Sequence, residues 1–221
     1  MTPYRACIFD LDGTLADTLH SIAYFGNSAL KAFGFPSIPV ADYRRLVGNG
    51  ADVLMDRMLR RVGAALSPEE RRRFRAVYDR LYAADPLALV GAYPGLPEVL
   101  ERLRQRGRKL AVLSNKPDDM TQAIARELYG GVLHAAYGQR PEFPTKPDPA
   151  AVLALAKELG VSPQETLYIG DSGVDMDTAR RAGMDSCGVL WGFRDREELL
   201  AHGAMFLAGD PAQLEKIIEK Q

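Results

Sequence analysis

Short apolar runs that end in polar residues alternate with amphipathic stretches along much of the chain. The first run, Cys7-Ile8-Phe9, has no polar side chain on either face, which is typical of a strand buried in a parallel sheet. Similar runs predict further strands at residues 109–115, 134–138, 166–172 and 186–192. Apolar residues at helical spacing between these runs predict crossover helices. The alternation therefore predicts an α/β fold with a parallel sheet between helices.

One long segment after the first strand shows only the helical pattern. Helices are expected at residues 18–33, 40–47, 51–62 and 68–84, with no strand among them. Ser67-Pro68-Glu69-Glu70 supplies an N-cap, a proline at the first helical position and two acids in the first turn. We therefore expect an all-helical domain at residues 17–87, inserted into an α/β core formed by residues 1–16 and 88–221.

Composition narrows the possible functions. The chain has 221 residues, 47% of them hydrophobic, and a net charge of -1, so no basic surface favours a nucleic acid. No apolar run approaches the roughly 18 residues of a membrane helix, and no signal peptide precedes the first strand. Cys7 and Cys187 lie in apolar runs, which favours buried thiols over a disulfide. These features predict a cytoplasmic protein without a membrane or nucleic-acid partner.

Polar side chains follow three of the predicted strands at the point where each ends. Asp10 and Asp12 follow the first strand, Ser114 and Asn115 end the second, and Asp171 ends a third. The carboxyl ends of parallel strands lie along one edge of the sheet, where ligands bind in open α/β folds. These side chains should therefore meet in one cleft.

Two further charged residues can face the same cleft. Asp175 lies at a helix start four residues after Asp171, where it could also serve the helix dipole, and Lys146 precedes another helix. Several carboxylates together bind a hard cation such as Mg²⁺, which with Lys146 would neutralise a phosphate. Ser114, Thr14 and backbone amides could donate hydrogen bonds to its oxygens. The chemistry that this set suits is phosphoryl transfer.

The same residues carry a resemblance to a known family. The chain resembles the haloacid dehalogenase-like hydrolase superfamily, and within it the phosphoglycolate phosphatase-like branch. Four blocks occur in the family's order: Asp10-Leu11-Asp12-Gly13-Thr14, Leu113-Ser114-Asn115-Lys116, Lys146-Pro147 and Gly170-Asp171-Ser172-Gly173-Val174-Asp175. The resemblance implies a Rossmann-like catalytic core, with the helical insert as a cap domain.

The resemblance also implies a role for each matching residue. Asp10 would be the nucleophile and a metal ligand, and Asp12 the general acid/base, whose backbone carbonyl also binds Mg²⁺. Lys146 would bind the phosphate and steady Asp10. The remaining matches would hold the phosphate (Ser114 and Asn115) or complete the metal site (Asp171, with Asp175 as a ligand or a support behind it).

The predicted function is Mg²⁺-dependent hydrolysis of a small phosphorylated metabolite through an aspartyl-phosphate, with 2-phosphoglycolate the favoured substrate. One alternative is a β-phosphoglucomutase-like phosphosugar mutase, although Ile22 stands at the position where the pattern of those mutases has a histidine. Another is a phosphoacceptor regulatory module, against which Asp12 argues because an acid/base group shortens the life of an acyl-phosphate.

The segment at residues 47–55 resembles the cap segment that contributes to substrate recognition, and Arg44 or Arg45 could clamp a substrate carboxylate. The sequence leaves the oligomeric state open.

Overall fold

The computed structural model describes residues 4–220. Its strands are β1 (Ala6–Phe9), β2 (Ala16–Asp17), β3 (Gly91–Ala92), β4 (Lys109–Pro117), β5 (Ala135–Gln139), β6 (Thr166–Gly170), β7 (Asp185–Val189) and β8 (Phe206–Ala208). Its helices are α1 (Leu19–Ala32), α2 (Tyr43–Leu46), α3 (Ala51–Arg61), α4 (Pro68–Ala84), α5 (Leu96–Gln105), α6 (Asp118–Tyr129), α7 (Ala150–Glu158), α8 (Gly173–Ala182), α9 (Arg196–Ala201) and α10 (Pro211–Glu219). None of these helices is long and apolar enough to cross a membrane. Residues 1–3 and 221, which the sequence assigned to the α/β core, lie outside the described residues.

Six strands form one parallel sheet in the order β5–β4–β1–β6–β7–β8. β1 lies inside the sheet and pairs with β4 on one side and with β6 on the other. Both neighbours come from far along the chain. Ala6 of β1 pairs in register with Lys109 of β4 and with Thr166 of β6. The predicted α/β fold with a parallel sheet is confirmed.

Helices cover both faces of the sheet, which explains why β1 lacks polar side chains. Cys7 and Phe9 point into one hydrophobic cluster, which also contains residues of α5 and α10. Ile8 points the other way, into a cluster with residues of α7 and α8. All three side chains are fully buried. Cys7 and Cys187 are free buried thiols, as the sequence predicted.

Helices α1–α4, which we call the inserted helices, lie between β1 and β4 in sequence and share a hydrophobic cluster. Met120 and Phe193 also join this cluster, although they come from the sheet side of the molecule. The chain passes between the two parts at β2 and β3, which pair antiparallel with Ala16 opposite Ala92. The two connecting segments therefore run side by side. This arrangement supports domain boundaries near residues 16 and 88, which stay a prediction.

The sequence of helix α4 determines where the helix begins and which side chains it buries. It begins with the predicted Ser67, whose hydroxyl accepts a hydrogen bond from the Glu70 amide while the Glu70 carboxylate accepts one from the Ser67 amide. Phe74, Tyr78 and Tyr82 follow at four-residue spacing and are the buried residues of this helix. Residues four apart share a helix face, so α4 presents an aromatic stripe to the interior.

Candidate active site

A cavity lies between the carboxyl edge of the sheet and the inserted helices. From the α/β side it is lined by six residues that the sequence singled out, Asp10, Asp12, Ser114, Asn115, Lys146 and Asp171, together with Lys116, Pro117, Met120, Ser172, Phe193 and Arg194. The structure therefore brings most of the predicted site residues to one place. Asp175 and Thr14 are not among the cavity-lining residues.

Lys146 holds two carboxylates at once. Its Nζ lies 2.8 Å from Oδ1 of Asp10 and 2.8 Å from Oδ1 of Asp175, with 3% of its side chain exposed. Asn115 fixes the Lys146 backbone, since its Oδ1 accepts from the Lys146 amide at 2.8 Å and its Nδ2 donates to the Lys146 carbonyl at 3.2 Å. These hydrogen bonds position the lysine, while the expectation that Asn115 also holds a phosphate stays a prediction.

Asp171 is fixed by the segment that follows β7. Its Oδ2 accepts a hydrogen bond of 2.7 Å from the Phe193 amide, and the carboxylate is buried. A Cβ on Gly13 would lie 2.3 Å from Asp171 Oδ2, and Gly13 has a φ of +87°. A Cβ on Gly192 would lie 2.3 Å from Asp171 Cβ. Both positions therefore require glycine for the carboxylate to reach the end of β6.

Asp175 lies behind the cavity and is fully buried. Its Oδ2 accepts hydrogen bonds from the Ser172 hydroxyl at 2.6 Å and from the Ser172 amide at 3.1 Å, which caps the start of α8. Its Oδ1 faces Lys146 and the Tyr168 hydroxyl. The helix-start role and the contact with the site thus occur together in one side chain.

Three buried carboxylates are close enough to share a cation. Asp10, Asp171 and Asp175 each bring an oxygen within 4.8 Å of the other two. Lys146 contacts two of them and leaves excess negative charge. Burial, and then the charges of Asp175 and Asp10, raise the pKa of Asp171 well above its ordinary value. Oxygen donors with surplus negative charge fit a hard divalent cation such as Mg²⁺.

Two opposing effects act on the pKa of Asp10. Burial raises the pKa of Asp10 to about 7, while the adjacent Lys146 charge pulls it down. Lys146 itself stays protonated, because the charges of Asp10 and Asp175 outweigh the effect of burial and raise its pKa. A carboxylate that is buried, paired with one ammonium and turned toward a cavity can act as a nucleophile.

Lys116 is a site residue that sequence reasoning missed. Its Nζ lies 3.1 Å from Oδ1 and 3.3 Å from Oδ2 of Asp12, and 4.6 Å from the centre of the Tyr82 ring on α4. Burial lowers the pKa of Lys116, but the charge of Asp12 and the contacts with Tyr82 together outweigh burial and raise that pKa. Lys116 stood inside a block that carried the resemblance, and its position at a strand end after Ser114 was the available signal.

The two predicted hydroxyl groups have different environments. Ser114 lines the cavity, and its oxygen accepts a hydrogen bond of 3.2 Å from the Lys116 amide. The Thr14 hydroxyl is fully buried and has no hydrogen-bond partner within residues 4–220. The structure therefore offers Ser114, but not Thr14, to a ligand in this cavity.

The inserted helices supply the opposite wall, and part of it comes from the segment at residues 47–55 that the sequence analysis singled out. Its residues come from α1 (Ile22), the turn before α3 (Val47, Gly48 and Gly50), α3 (Ala51 and Leu54) and α4 (Tyr78, Asp79 and Tyr82). Arg44 does not line the cavity; it donates a 2.8 Å hydrogen bond to the Gly192 carbonyl. The wall combines apolar side chains with a few polar groups, as small-molecule pockets do.

Comparison with known proteins points the same way as the geometry. Residues 4–183 match the family model of the haloacid dehalogenase-like hydrolases. Among curated proteins, a phosphoglycolate phosphatase of Vibrio parahaemolyticus is 33% identical over 95% of this chain and 94% of its own length. One of Vibrio vulnificus is 34% identical over the same shares. The crystal structure of a predicted phosphoglycolate phosphatase from Haemophilus somnus is 30% identical, with a TM-score of 0.91 over 98% of this chain and 99% of that one.

Proposed function

The chain is a phosphatase of the haloacid dehalogenase-like hydrolase family, and we propose that it hydrolyses a small phosphomonoester, 2-phosphoglycolate above others, with Mg²⁺ as cofactor. The observation that carries this proposal is the buried contact of Lys146 with Asp10 at 2.8 Å, beside two further carboxylates. The substrate preference is supported by the relatives named for that activity. The inserted helices would act as a cap over the cavity.

Asp10 is the proposed nucleophile. Its carboxylate oxygen forms a bond to phosphorus while the bond from phosphorus to the ester oxygen breaks, which leaves an aspartyl-phosphate and an alcohol. Lys146 favours the ionised form of Asp10 and neutralises charge on the phosphoryl group. Ser114 lines the cavity nearby and is proposed to donate a hydrogen bond to a phosphoryl oxygen.

Asp12 is the proposed acid and base. Its side chain gives a proton to the departing ester oxygen, and later accepts one from the water that attacks the phosphorus of the aspartyl-phosphate. Water attack returns Asp10 as a carboxylate and releases inorganic phosphate. Lys116 contacts both oxygens of Asp12 and so fixes its orientation.

A metal site is proposed at the buried carboxylates. Asp10 and Asp171 would hold Mg²⁺ with the Asp12 backbone carbonyl, and Asp175 would ligate it or support it from behind. Mg²⁺ bound there would supply Lewis-acid stabilisation of the phosphoryl oxygens. We leave Thr14 out of the substrate-binding set because its hydroxyl does not reach the cavity. The cytoplasmic location stays a prediction.

The test is a phosphate-release assay over small phosphorylated metabolites, including 2-phosphoglycolate, glucose phosphates and pyrophosphate. We expect release from 2-phosphoglycolate that needs Mg²⁺, stops in EDTA and is abolished in Asp10→Asn, which should remain folded. Asp12→Ala should slow turnover and accumulate the aspartyl-phosphate. Turnover without metal, or a near wild-type rate for Asp10→Asn, would contradict the proposal. Conversion of glucose 1-phosphate to glucose 6-phosphate without phosphate release would favour the mutase alternative.

A further inference from the structure

Residues 191–194, which follow β7, contact both the α/β core and the inserted helices. We propose that Phe193 in this segment is a positioning residue that couples the docking of the inserted helices to the orientation of the Asp171 carboxylate. The inference rests on the proposed function, because it concerns the affinity of the proposed metal site. It adds a determinant of metal binding that contacts the inserted helices.

The core side of the segment is fixed by short contacts. The Phe193 amide donates to Asp171 Oδ2 at 2.7 Å, and the Trp191 indole donates to the Thr14 carbonyl at 3.0 Å. Between them, a Cβ on Gly192 would lie 2.5 Å from the Gly13 carbonyl oxygen. The backbone of the segment therefore lies directly on Asp171 and on the turn after β1. A shift of this backbone would move the donor that orients the carboxylate.

The opposite side of the same residues faces the inserted helices. Phe193 is 8% exposed, and its ring joins the hydrophobic cluster that α1–α4 share. Arg44 donates to the Gly192 carbonyl at 2.8 Å, and Arg194 donates in return to the Val47 carbonyl at 2.8 Å and to the Arg44 carbonyl. This pair of arginines fastens the segment to the α2 region from both directions.

Phe193 thus performs two tasks with two parts of one residue. Its amide orients Asp171, and its ring is held by the inserted helices. The orientation of a metal ligand by a hydrogen-bonding neighbour sets affinity, and losing such a neighbour typically weakens metal binding by about 10- to 100-fold. When the inserted helices are docked, the ring fixes the amide and the carboxylate is pre-oriented. Coupling free energies are reciprocal, so Mg²⁺ must then also favour docking.

The experiment measures Mg²⁺ binding to the full chain without substrate, by titration calorimetry and by the emission of Trp191, the one tryptophan of the chain. Phe193→Ala keeps the amide and removes the ring, and should weaken Mg²⁺ binding about tenfold. Phe193→Leu restores part of the ring's packing and should recover part of the affinity. The matched control is Phe74→Leu, which changes a fully buried ring of the same cluster that does not line the cavity. It should bind Mg²⁺ as the wild type does.

Reciprocity gives a second readout. Mg²⁺ should slow hydrogen exchange at the amides of α2 and α3 in the wild type and should do so less in Phe193→Ala. Unchanged Mg²⁺ affinity in both Phe193 variants, or an equal loss in Phe74→Leu, would overturn the coupling while leaving the proposed function intact. A wild-type protein that binds no Mg²⁺ would overturn the metal site and the coupling together. Should Phe193→Ala fail to fold, Phe193→Leu against Phe74→Leu decides the question.

Discussion

Two buried lysines stand at the same edge of the sheet and differ in what surrounds them. Lys146 has 3% of its side chain exposed and contacts Asp10 and Asp175, which both belong to the α/β core. Lys116 has 4% exposed and contacts Asp12 in the core, but its other neighbour is the Tyr82 ring of the inserted helices. One lysine is therefore enclosed by the core, and the other is shared between the two parts of the molecule.

We therefore expect the role of Lys146 to be independent of the inserted helices and the role of Lys116 to depend on them. The charge balance at Asp10 requires only core residues, so Lys146 should favour the ionised carboxylate whether or not the inserted helices are docked. The environment of Lys116 is complete only when α4 is in place. A leaving group would lie near Asp12, and Lys116 is the cation in contact with Asp12. The inserted helices can change the surroundings of this cation through Tyr82.

The largest effect should come from Lys146→Met. It removes the ammonium in contact with the proposed nucleophile, and we expect kcat/KM for 2-phosphoglycolate to fall about a thousandfold, as when a preorganised charge donor is lost. Phosphate release at saturating Mg²⁺ measures the loss, with circular dichroism to check folding. Lys109→Met, at an exposed position at the start of β4, is the control and should keep the wild-type rate. A loss of less than about tenfold would remove Lys146 from the proposed chemistry.

Lys116→Met should have the next largest effect. Asp12 would lose the group that orients it, and misplacing an acid/base group costs roughly 10- to 100-fold in rate. Comparing 2-phosphoglycolate with 2-hydroxyethyl phosphate, which lacks the carboxylate, shows whether Lys116 also senses charge on the leaving group. If Lys116→Met lost more activity than Lys146→Met, the contrast between the two lysines would be reversed.

The pH profile should distinguish the lysines more finely. Attack requires ionised Asp10, whose pKa burial raises to about 7 against the opposing charge of Lys146. Activity should therefore decline as the pH falls through that range, and Mg²⁺ should move the decline to lower pH because it competes with protons. Lys146→Gln removes the opposing charge, so the pKa of Asp10 rises and the decline moves to higher pH. Rates of Lys146→Gln and of Lys116→Gln measured against pH would check this. An equal displacement of the acid decline in Lys116→Gln would contradict it.

The smallest effect should come from Tyr82→Leu. It removes the aromatic face 4.6 Å from the Lys116 ammonium, and a cation–π contact contributes about 0.5–2 kcal/mol, so kcat/KM should fall a few-fold. Tyr24→Leu, which changes an exposed ring on α1, should have no effect. The acid decline set by Asp10 should stay in place in Tyr82→Leu. A displaced decline would show that the inserted helices also influence the Lys146 side.

The sequence was most informative where local pattern and position coincide. Asp10 and Asp171 directly follow apolar strands, and the shared edge of a parallel sheet follows from strand direction alone. The edge strand β8 (Phe206–Ala208) was missed, because three residues are too few to establish a period. The expectation that residues 17–87 are all helical was wrong at Asp17, which lies in β2. A strand of two residues is likewise too short to establish a period.

Side-chain direction and partner choice could not be predicted in this way. Nothing in the local sequence shows that the Thr14 hydroxyl is buried away from the cavity, or that Asn115 binds the Lys146 backbone. The contacts of Lys116 with Tyr82 and of Phe193 with the inserted helices depend on how two separate parts of the chain dock. Such residues are found from the assembled structure, because their spacing in sequence carries no period.

The interior position of β1 has a consequence for biosynthesis. This strand ends at Phe9, whereas its second neighbour, β6, is complete only at Gly170. At about 5–20 residues per second, the ribosome needs on the order of ten to thirty seconds to reach that point. Throughout this interval an apolar strand that ends in the proposed nucleophile lacks one edge partner and is open to aggregation or chaperone binding. The strand that precedes Asp10 therefore waits for about 160 further residues before both of its edges are paired.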